Sequence, residues 1–131
     1  MTQAPLMDRI HITEDYDVPR VINGGWQLSA GHALERPLDL ADASRAFNRL
    51  IDMGFDTFDC ADIYTGVEDF FGGIIRERRK AGLRLPQIHT KFVPDLNDLA
   101  NVTPAYVENI ITRSLRRLGV ERLDAVQFHW W

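Results

Sequence analysis

The sequence predicts an α/β fold in which a hairpin precedes four parallel strands that alternate with three helices. Three observations lead to this fold. Apolar residues recur at helical spacing in three segments, four short segments between them have strand character, and glycines mark most of the junctions. Strands that alternate with helices of this length form right-handed βαβ units, which give a parallel sheet.

The first predicted element is a hairpin over residues 8–19. Residues 10–12 and 18–22 flank the polar turn 13–17, and the second of these segments is expected to continue into the first strand of the sheet. That strand is expected to end at Asn23-Gly24-Gly25. Pro19 has no N–H group, so the start of this segment is an edge or an entry to the sheet.

Each helix is predicted from an apolar face and from the residues at its ends. Asp39 and Thr103 are the expected N-caps of the first and third helices, and Pro104 occupies a first helical position, where its missing N–H costs little. The expected C-terminal stops of the three helices are Gly54, Gly82 and Gly119. Their expected apolar faces are, in the same order, Leu40, Ala43, Phe47, Leu50 and Ile51; Val67, Phe70, Phe71, Ile74 and Ile75; and Val107, Ile110, Ile111, Leu115 and Leu118.

The remaining strands are expected over residues 55–60, 87–92 and 123–128. A parallel sheet is normally covered on both faces. The pattern stops directly after the fourth strand, so we expect an incomplete fold. Two arrangements of Trp130 and Trp131 remain open. Either one of them lines a substrate pocket while the other packs on a helix beyond this sequence, or both form an exposed apolar patch.

The composition excludes several classes of protein. The 131 residues are 45% hydrophobic and 26% charged, which is ordinary for a soluble globular protein. The net charge of -4 argues against a nucleic-acid partner. No signal peptide or membrane span is visible, and the single cysteine, Cys60, cannot form an internal disulfide. We therefore expect a cytoplasmic protein.

Four polar residues follow the predicted strands. Asp59 ends the second strand, Tyr64 lies in the loop after it, Lys91 is near the end of the third strand, and His129 follows the fourth. The carboxyl ends of parallel strands share one rim, where βα loops build active sites. We therefore expect these four residues in one site.

These residue types suit the reduction of a carbonyl group. A tyrosine phenol ordinarily has a pKa of about 10, too high for an efficient proton donor at neutral pH. A neighbouring lysine ammonium favours the phenolate, a carboxylate keeps the lysine charged and oriented, and a histidine can donate a hydrogen bond to the carbonyl. The hydride would come from a nicotinamide cofactor, which this chemistry implies.

Four motifs resemble those of the aldo-keto reductases. Residues 55–64, followed by Glu68 and Gly72, resemble that family's signature, and residues 89–92 and 123–129 resemble its next two motifs. Residues 20–26 are similar to its first barrel strand and following loop, and the predicted hairpin resembles the one that closes the bottom of its barrel. Thr65-Gly66-Val67-Glu68 replaces the more usual Gly-x-Ser-Glu, a difference that would mark a subfamily.

The resemblance implies the N-terminal half of a (β/α)8 TIM barrel with a preceding β-hairpin, four parallel strands and three helices. Residues 1–131 would form an NADP-dependent oxidoreductase domain that stops after strand four, with the hairpin at 8–19 and the half barrel at 20–131. A whole barrel takes about 250 residues. The implied reaction is the reduction of aldehydes and ketones with NADPH, less often NADH.

The resemblance also implies a role for each rim residue. Tyr64 would be the general acid, Lys91 would lower its pKa, Asp59 would pair with Lys91, and His129 would orient the carbonyl.

Gly24, Gly25, Trp26 and Asp59 would lie beside the nicotinamide. The family holds the cofactor's phosphates with loops after strands seven and eight, which lie outside this sequence.

Two other functions remain open. The chain could belong to a non-catalytic cofactor-binding module, of the kind that serves as a subunit of membrane-channel complexes. It could also be an inactive half barrel, which we expect to self-associate through the exposed edges of its first and fourth strands.

Other chemically notable residues receive structural roles. Glu68 suits the start of the second helix, Asp62 and His89 are taken as structural or solvent-facing, and Cys60 as a small buried residue. The basic run 76–80 is interpreted as a solvated helix end. No metal site is predicted, because the histidines lie on separate segments without metal-ligand spacing: His11, His32, His89 and His129.

Overall fold

The computed structural model describes residues 7–30 and 37–130, and it confirms the α/β fold. Trp131 and His32, both considered above, lie outside these ranges. The strands are β1 (Arg9–Thr13), β2 (Tyr16–Pro19), β3 (Asn23–Gly24), β4 (Thr57–Asp59), β5 (Gln87–Phe92) and β6 (Ala125–Phe128). The helices are α1 (Leu40–Asp52), α2 (Val67–Lys80) and α3 (Pro104–Leu118), with short 3-10 turns at Trp26–Leu28 and Leu96–Asn101.

The strands form two sheets. β1 and β2 pair as an antiparallel hairpin, and β3, β4, β5 and β6 form a parallel sheet in that spatial order. The predicted continuation of the hairpin into the sheet is wrong. Val18 and Pro19 pair with Ile10 and Arg9 in the hairpin, and the sheet strand begins only at Asn23. The N–H of Arg20 still donates to the carbonyl of Asp8 at 2.9 Å, and the chain then bends at Arg20 before it enters the sheet. Pro19 has no N–H group, so it offers no donor to a strand on its other side.

The helix ends follow the predicted local signals. Asp39 accepts a hydrogen bond from the backbone N–H of Asp42 at 3.0 Å, and Thr103 accepts one from Tyr106 at 3.2 Å. α3 is followed by Gly119, whose φ of 66° lies in the left-handed region that favours glycine. These contacts span three or four residues, which explains why the sequence alone predicts them.

The core lies between the sheet and the helices. The rings of Phe58 on β4 and Phe71 on α2 stack with centroids 5.3 Å apart, and Phe47 of α1 contacts both. α2 and α3 approach closely at Gly72, where a Cβ atom would overlap the backbone carbonyl oxygen of Arg117. The helices therefore cover one face of the sheet.

The opposite face of the sheet is polar and partly open. In β5, Ile88, Thr90 and Phe92 are buried, whereas Gln87, His89 and Lys91 alternate with them and are partly exposed. Asp59 pairs in register with His89, so its side chain belongs to the same face as Lys91.

The helix-covered face of the sheet is open at its last strand, β6. The β6 residues in register with the buried Thr90 and Phe92 are exposed: Val126 at 41% and Phe128 at 66%.

The basic run at the end of α2 is not a uniformly solvated helix end. Arg78 is 4% exposed and donates hydrogen bonds to side-chain oxygens of Asn48 and Asp52 and to the carbonyl of Arg84. These acceptors satisfy the guanidinium away from water and link α2 to α1. The helical pattern could not reveal this, because the acceptors lie on other segments.

No helix within residues 7–30 and 37–130 is long and apolar enough to cross a membrane.

Candidate active site

The candidate residues lie at the carboxyl rim of the parallel sheet. Asp59 is the last residue of β4, Lys91 is the penultimate residue of β5, and His129 directly follows β6. The backbone N–H of His129 donates to the carbonyl of Phe92 at 2.9 Å, which places its backbone beside the end of β5. The rim predicted from the order of the strands is therefore present.

Lys91 and Asp59 form a bidentate ion pair. The Lys91 Nζ atom lies 2.7 Å from each carboxylate oxygen of Asp59 and donates to the backbone carbonyl of Cys60 at 2.8 Å. The Lys91 side chain is only 13% exposed, and a lysine this buried needs acceptors for its charge. The three oxygens fix the ammonium at the rim.

Tyr64 lies beside this ammonium. The Lys91 Nζ atom is 5.3 Å from the centroid of the Tyr64 ring, within the range of a cation–π contact. The backbone of Tyr64 forms a tight turn between β4 and α2, since its N–H donates to Ala61 at 3.1 Å and its carbonyl accepts from Val67 at 3.0 Å. The structure thus brings a phenol, an ammonium and a carboxylate into one cluster.

The last residue of β3, Gly24, and the residues that follow it form an adjoining wall. The N–H of Gly25 donates to the carbonyl of Asp59 at 2.8 Å, and a Cβ atom at Gly25 would lie 3.0 Å from that oxygen and from the Phe71 ring. At Gly24 a Cβ atom would meet only the Gln27 side chain, 4.0 Å away.

This wall has features that suit the nicotinamide end of a dinucleotide. Gly24 presents open backbone, Trp26 is 48% exposed, and Asp59 supplies a carboxylate that is 38% exposed. A flat ring that carries an amide can pack against bare backbone and an aromatic surface and donate to a carboxylate. The residues present therefore fit this end of the cofactor.

Two acidic residues near Tyr64 are buried. Glu68 accepts a hydrogen bond from the Thr90 hydroxyl at 2.7 Å and one from Arg117 at 3.2 Å. Asp62 accepts from the backbone N–H of Val93 at 3.2 Å, and burial raises the pKa of its carboxyl. Asp62 is 4% exposed, so the solvent-facing alternative for this residue is wrong.

His89 lies on the same sheet face as Lys91 but contacts the hairpin. Its Nε2 atom is 2.8 Å from the Tyr16 hydroxyl. Burial lowers the pKa of His89, although the carboxylate of Asp124 acts in the opposite direction. Burial also raises the pKa of Tyr16 to about 12, so a protonated Tyr16 hydroxyl and a neutral His89 ring share this hydrogen bond near neutral pH. The structural interpretation of His89 is thus the one that the contacts support.

A cavity of about 590 Å³ lies between the hairpin and the polar face of the sheet. Tyr16, His89 and Asp124 contribute to its lining, whereas Asp59, Tyr64, Lys91 and His129 do not. This space is therefore separate from the cluster at the rim.

Cys60 contributes its backbone rather than its thiol. The residue is fully buried, and burial raises the pKa of the thiol to about 12, which excludes it as a nucleophile near neutral pH. Its carbonyl nevertheless accepts from Lys91. Sequence reasoning missed this acceptor, because every residue has a carbonyl and no side-chain type marks it.

Within the described ranges, no three His, Cys, Asp or Glu residues are grouped so that they could hold a metal ion.

Comparison with solved structures identifies the fold. An aldo-keto reductase from Bacillus halodurans (holo form) matches with a TM-score of 0.70 and 24% identity over 94% of this chain and 40% of its own. A Bombyx mori aldo-keto reductase in complex with NADP matches with a TM-score of 0.71 and 24% identity over 95% of this chain and 38% of its own. A candidate aldo-keto reductase from Pseudomonas aeruginosa matches with a TM-score of 0.72 and 22% identity over 95% of this chain and 48% of its own.

The chain thus spans less than half the length of each of these structures. They are TIM barrels, which confirms the prediction of an N-terminal half barrel. No curated protein matches the sequence. The family model of the aldo/keto reductases matches residues 20–131, and the chain therefore belongs to the aldo/keto reductase family.

Proposed function

We propose that the protein containing this chain reduces aldehydes and ketones to alcohols with NADPH, and that Tyr64 is the general acid. The observation that carries this proposal is the ammonium of Lys91, which Asp59 and Cys60 hold 5.3 Å from the centre of the Tyr64 ring. A fixed positive charge beside a phenol stabilises the phenolate that remains after proton donation to a carbonyl oxygen.

Each rim residue then has one task. Tyr64 gives its proton to the substrate oxygen, and the Lys91 ammonium stabilises the negative charge that this leaves on the phenol oxygen. Asp59 holds Lys91 in place, and His129 donates a hydrogen bond that orients the carbonyl. Bound NADPH supplies the hydride that reduces the carbonyl carbon. Hydride and proton together convert the carbonyl into an alcohol.

Separate observations support the proposed cofactor, substrate class and cellular location. Gly24, Gly25, Trp26 and Asp59 would hold the nicotinamide end. The NADP in the Bombyx mori structure supports a nicotinamide cofactor, which we propose is NADPH. The net charge of -4 favours a small carbonyl substrate over nucleic acid. The single, buried Cys60 suits a reducing compartment, which supports a cytoplasmic location.

The test is the Tyr64→Phe variant in the longest polypeptide that contains this sequence. With a panel of aldehydes and ketones and NADPH absorbance as readout, removal of the acid should lower kcat by about 10²- to 10⁴-fold. The control is Tyr106→Phe, which removes a half-buried hydroxyl on α3 that contacts Asp98. We expect this control to retain kcat within about twofold.

Two outcomes would count against the proposal. Unchanged turnover in Tyr64→Phe would remove Tyr64 as the acid. Tight NADPH binding without turnover in the unmodified protein would favour the non-catalytic binding module instead.

We also propose that a polypeptide of these 131 residues, taken alone, self-associates. The outer edges of β3 and β6 have no strand partner within the described sheet, and Phe128 beside one of them is 66% exposed. Unpaired edges with neighbouring apolar surface are sites of association.

A further inference from the structure

The loop over residues 60–66, which joins β4 to α2 and carries Tyr64, rests on a buried ionic network. Two acidic side chains form its centre, Asp62 in the loop and Glu68 in the first turn of α2, and each side chain is only 1% exposed. Buried carboxylates are costly without partners. Their partners come from β5 and α3 and therefore tie the loop to both elements.

On one side, the loop is bound to the strand that carries Lys91. The N–H of Asp62 donates to the carbonyl of Lys91, and the N–H of Val93 donates to the Asp62 carboxylate, both at 3.2 Å. The Thr90 hydroxyl donates to Glu68 at 2.7 Å. These bonds fix the start of the loop relative to Lys91.

On the other side, two arginines of α3 bind the loop. Arg117 uses one nitrogen, Nη1, to contact both the backbone carbonyl of Asp62 at 2.9 Å and the carboxylate of Glu68 at 3.2 Å. Arg113 contacts the carboxylate of Asp62 at 3.3 Å. The Arg117–Asp62 contact has the most direct consequence, because it holds the backbone two residues before Tyr64.

The position of Arg117 is itself constrained. α2 and α3 touch at Gly72, where any side chain would overlap the Arg117 carbonyl oxygen, and the neighbouring Leu118 is 1% exposed. The backbone of Arg117 therefore cannot shift without opening the contact between the two helices.

We propose that Arg117 is a positioning residue for Tyr64. By binding the Asp62 carbonyl and Glu68 together, it holds the loop where the Tyr64 phenol lies beside Lys91. The inference rests on the proposed function, because it gives the loop geometry a catalytic consequence. Displacement of a catalytic group by about 1 Å can cost about 100-fold in rate, so the support of such a loop decides turnover.

The experiment separates loop positioning from the neutralisation of a buried charge. Arg117→Met removes both contacts and leaves Glu68 buried without its cation, so a loss of stability is expected. Arg117→Met combined with Glu68→Gln removes that unpaired charge but does not restore the contact to the Asp62 carbonyl. The matched control is Arg116→Met, which changes the adjacent, exposed arginine of the same helix.

We expect the double variant to recover most of the stability lost in Arg117→Met. Its kcat should remain at least about tenfold below that of the Arg116→Met control. Its KM for NADPH should stay unchanged, because the wall formed by Gly24 and Trp26 is not altered. Recovery of kcat together with stability would overturn the proposal, since Arg117 would then only neutralise Glu68.

A second readout does not depend on turnover. The amides of Asp62, Tyr64 and Val67 all donate hydrogen bonds in or beside the loop, so their hydrogen exchange reports its order. In the double variant these amides should exchange at least about tenfold faster, with amides of α1 unchanged. Unchanged exchange would overturn the positioning role even if Tyr64→Phe abolishes turnover. Faster exchange with full turnover in Tyr64→Phe would instead defeat the proposed function.

Discussion

The ammonium of Lys91 lies 2.7 Å from each carboxylate oxygen of Asp59, although the two residues are 32 positions apart in the chain. The pair is asymmetric, since the Lys91 side chain is 13% exposed and that of Asp59 is 38% exposed. Asp59 therefore tolerates the loss of Lys91 better than Lys91 tolerates the loss of its acceptors. This asymmetry makes Lys91 the cleaner position for a test of function.

Replacement of Lys91 by Met should lower turnover far more than stability. The variant removes the charge beside Tyr64, and we expect kcat to fall by about 100-fold or more. The remaining Asp59 carboxylate is 38% exposed and accessible to water, but the Cys60 carbonyl loses a donor, so the free energy of unfolding should fall by about 1–2 kcal/mol. Steady-state kinetics and urea denaturation measure the two effects. Lys80→Met, at the exposed end of α2, is the control, and equal losses of kcat in both variants would contradict the prediction.

The contact between Tyr16 and His89 predicts a pH dependence of stability. Burial holds the pKa of His89 in the folded protein below its usual value of 6.5. The unfolded chain therefore binds a proton first as the pH falls, and the free energy of unfolding should decrease on acidification through about pH 6.5. Below the folded pKa the loss should level off. Urea denaturation between pH 7.5 and 5.5 measures this slope.

Two histidine variants test whether His89 causes this pH dependence of the free energy of unfolding. His89→Gln should make the stability less dependent on pH in this interval, whereas His11→Gln, on the exposed strand β1, should leave the slope intact. A slope that survives in His89→Gln would place the titrating group elsewhere.

Gly24 and Gly25 are adjacent, but alanine at the two positions should have different effects. At Gly25 the new Cβ atom would lie 3.0 Å from the Asp59 carbonyl oxygen and the Phe71 ring, so the variant should lose about 1–3 kcal/mol of stability. At Gly24 the space is open, so stability should stay within about 0.5 kcal/mol while the KM for NADPH rises. Thermal unfolding and cofactor titration test the pair. Equal destabilisation by the two alanines would be inconsistent with a wall that is tightly packed at Gly25 and open at Gly24.

Gly72 and Gly73 of α2 form a second matched pair. Alanine at Gly72 would overlap the carbonyl oxygen of Arg117 and should cost about 1–3 kcal/mol or more, since the helices must separate. Alanine at Gly73 would meet only the side chain of Arg76 at 3.8 Å and should stabilise the helix by about 0.5–1 kcal/mol. The opposite signs are measurable by urea denaturation. A stabilising alanine at Gly72 would show that α2 and α3 are not in close contact.

Self-association of the 131-residue polypeptide is testable by light scattering. We expect a dimer or larger species, because the edges of β3 and β6 are unpaired in the described sheet and Phe128 is exposed. Phe128→Lys should weaken association, whereas Leu96→Lys should not, although Leu96 is 72% exposed, since it lies in a 3-10 turn rather than on the sheet. A clean monomer at high protein concentration would refute the expectation.

The sequence by itself determined the order of the three helices and of the three sheet strands between and after them, together with the ends of the helices, but not the first sheet strand. The bonds at Asp39 and Thr103 and the left-handed backbone at Gly119 depend on residues three or four positions away, so their chemistry is visible locally. The order of strands and helices also sufficed to place Asp59 and Lys91 on one rim, because parallel strands end at the same edge.

Tertiary structure decided which groups complete the site. Arg117 and Asp62 are 55 positions apart, and Tyr16 and His89 are 73 apart, so no local pattern marks either contact. The Cys60 carbonyl that binds Lys91 has no side-chain signature. Arg78 reads from the sequence as part of a solvated helix end, because its acceptors, Asn48 and Asp52, lie on another helix. Hydrogen bonds depend on distances of about 3 Å, and only the packing of α2 and α3 on the sheet sets those distances.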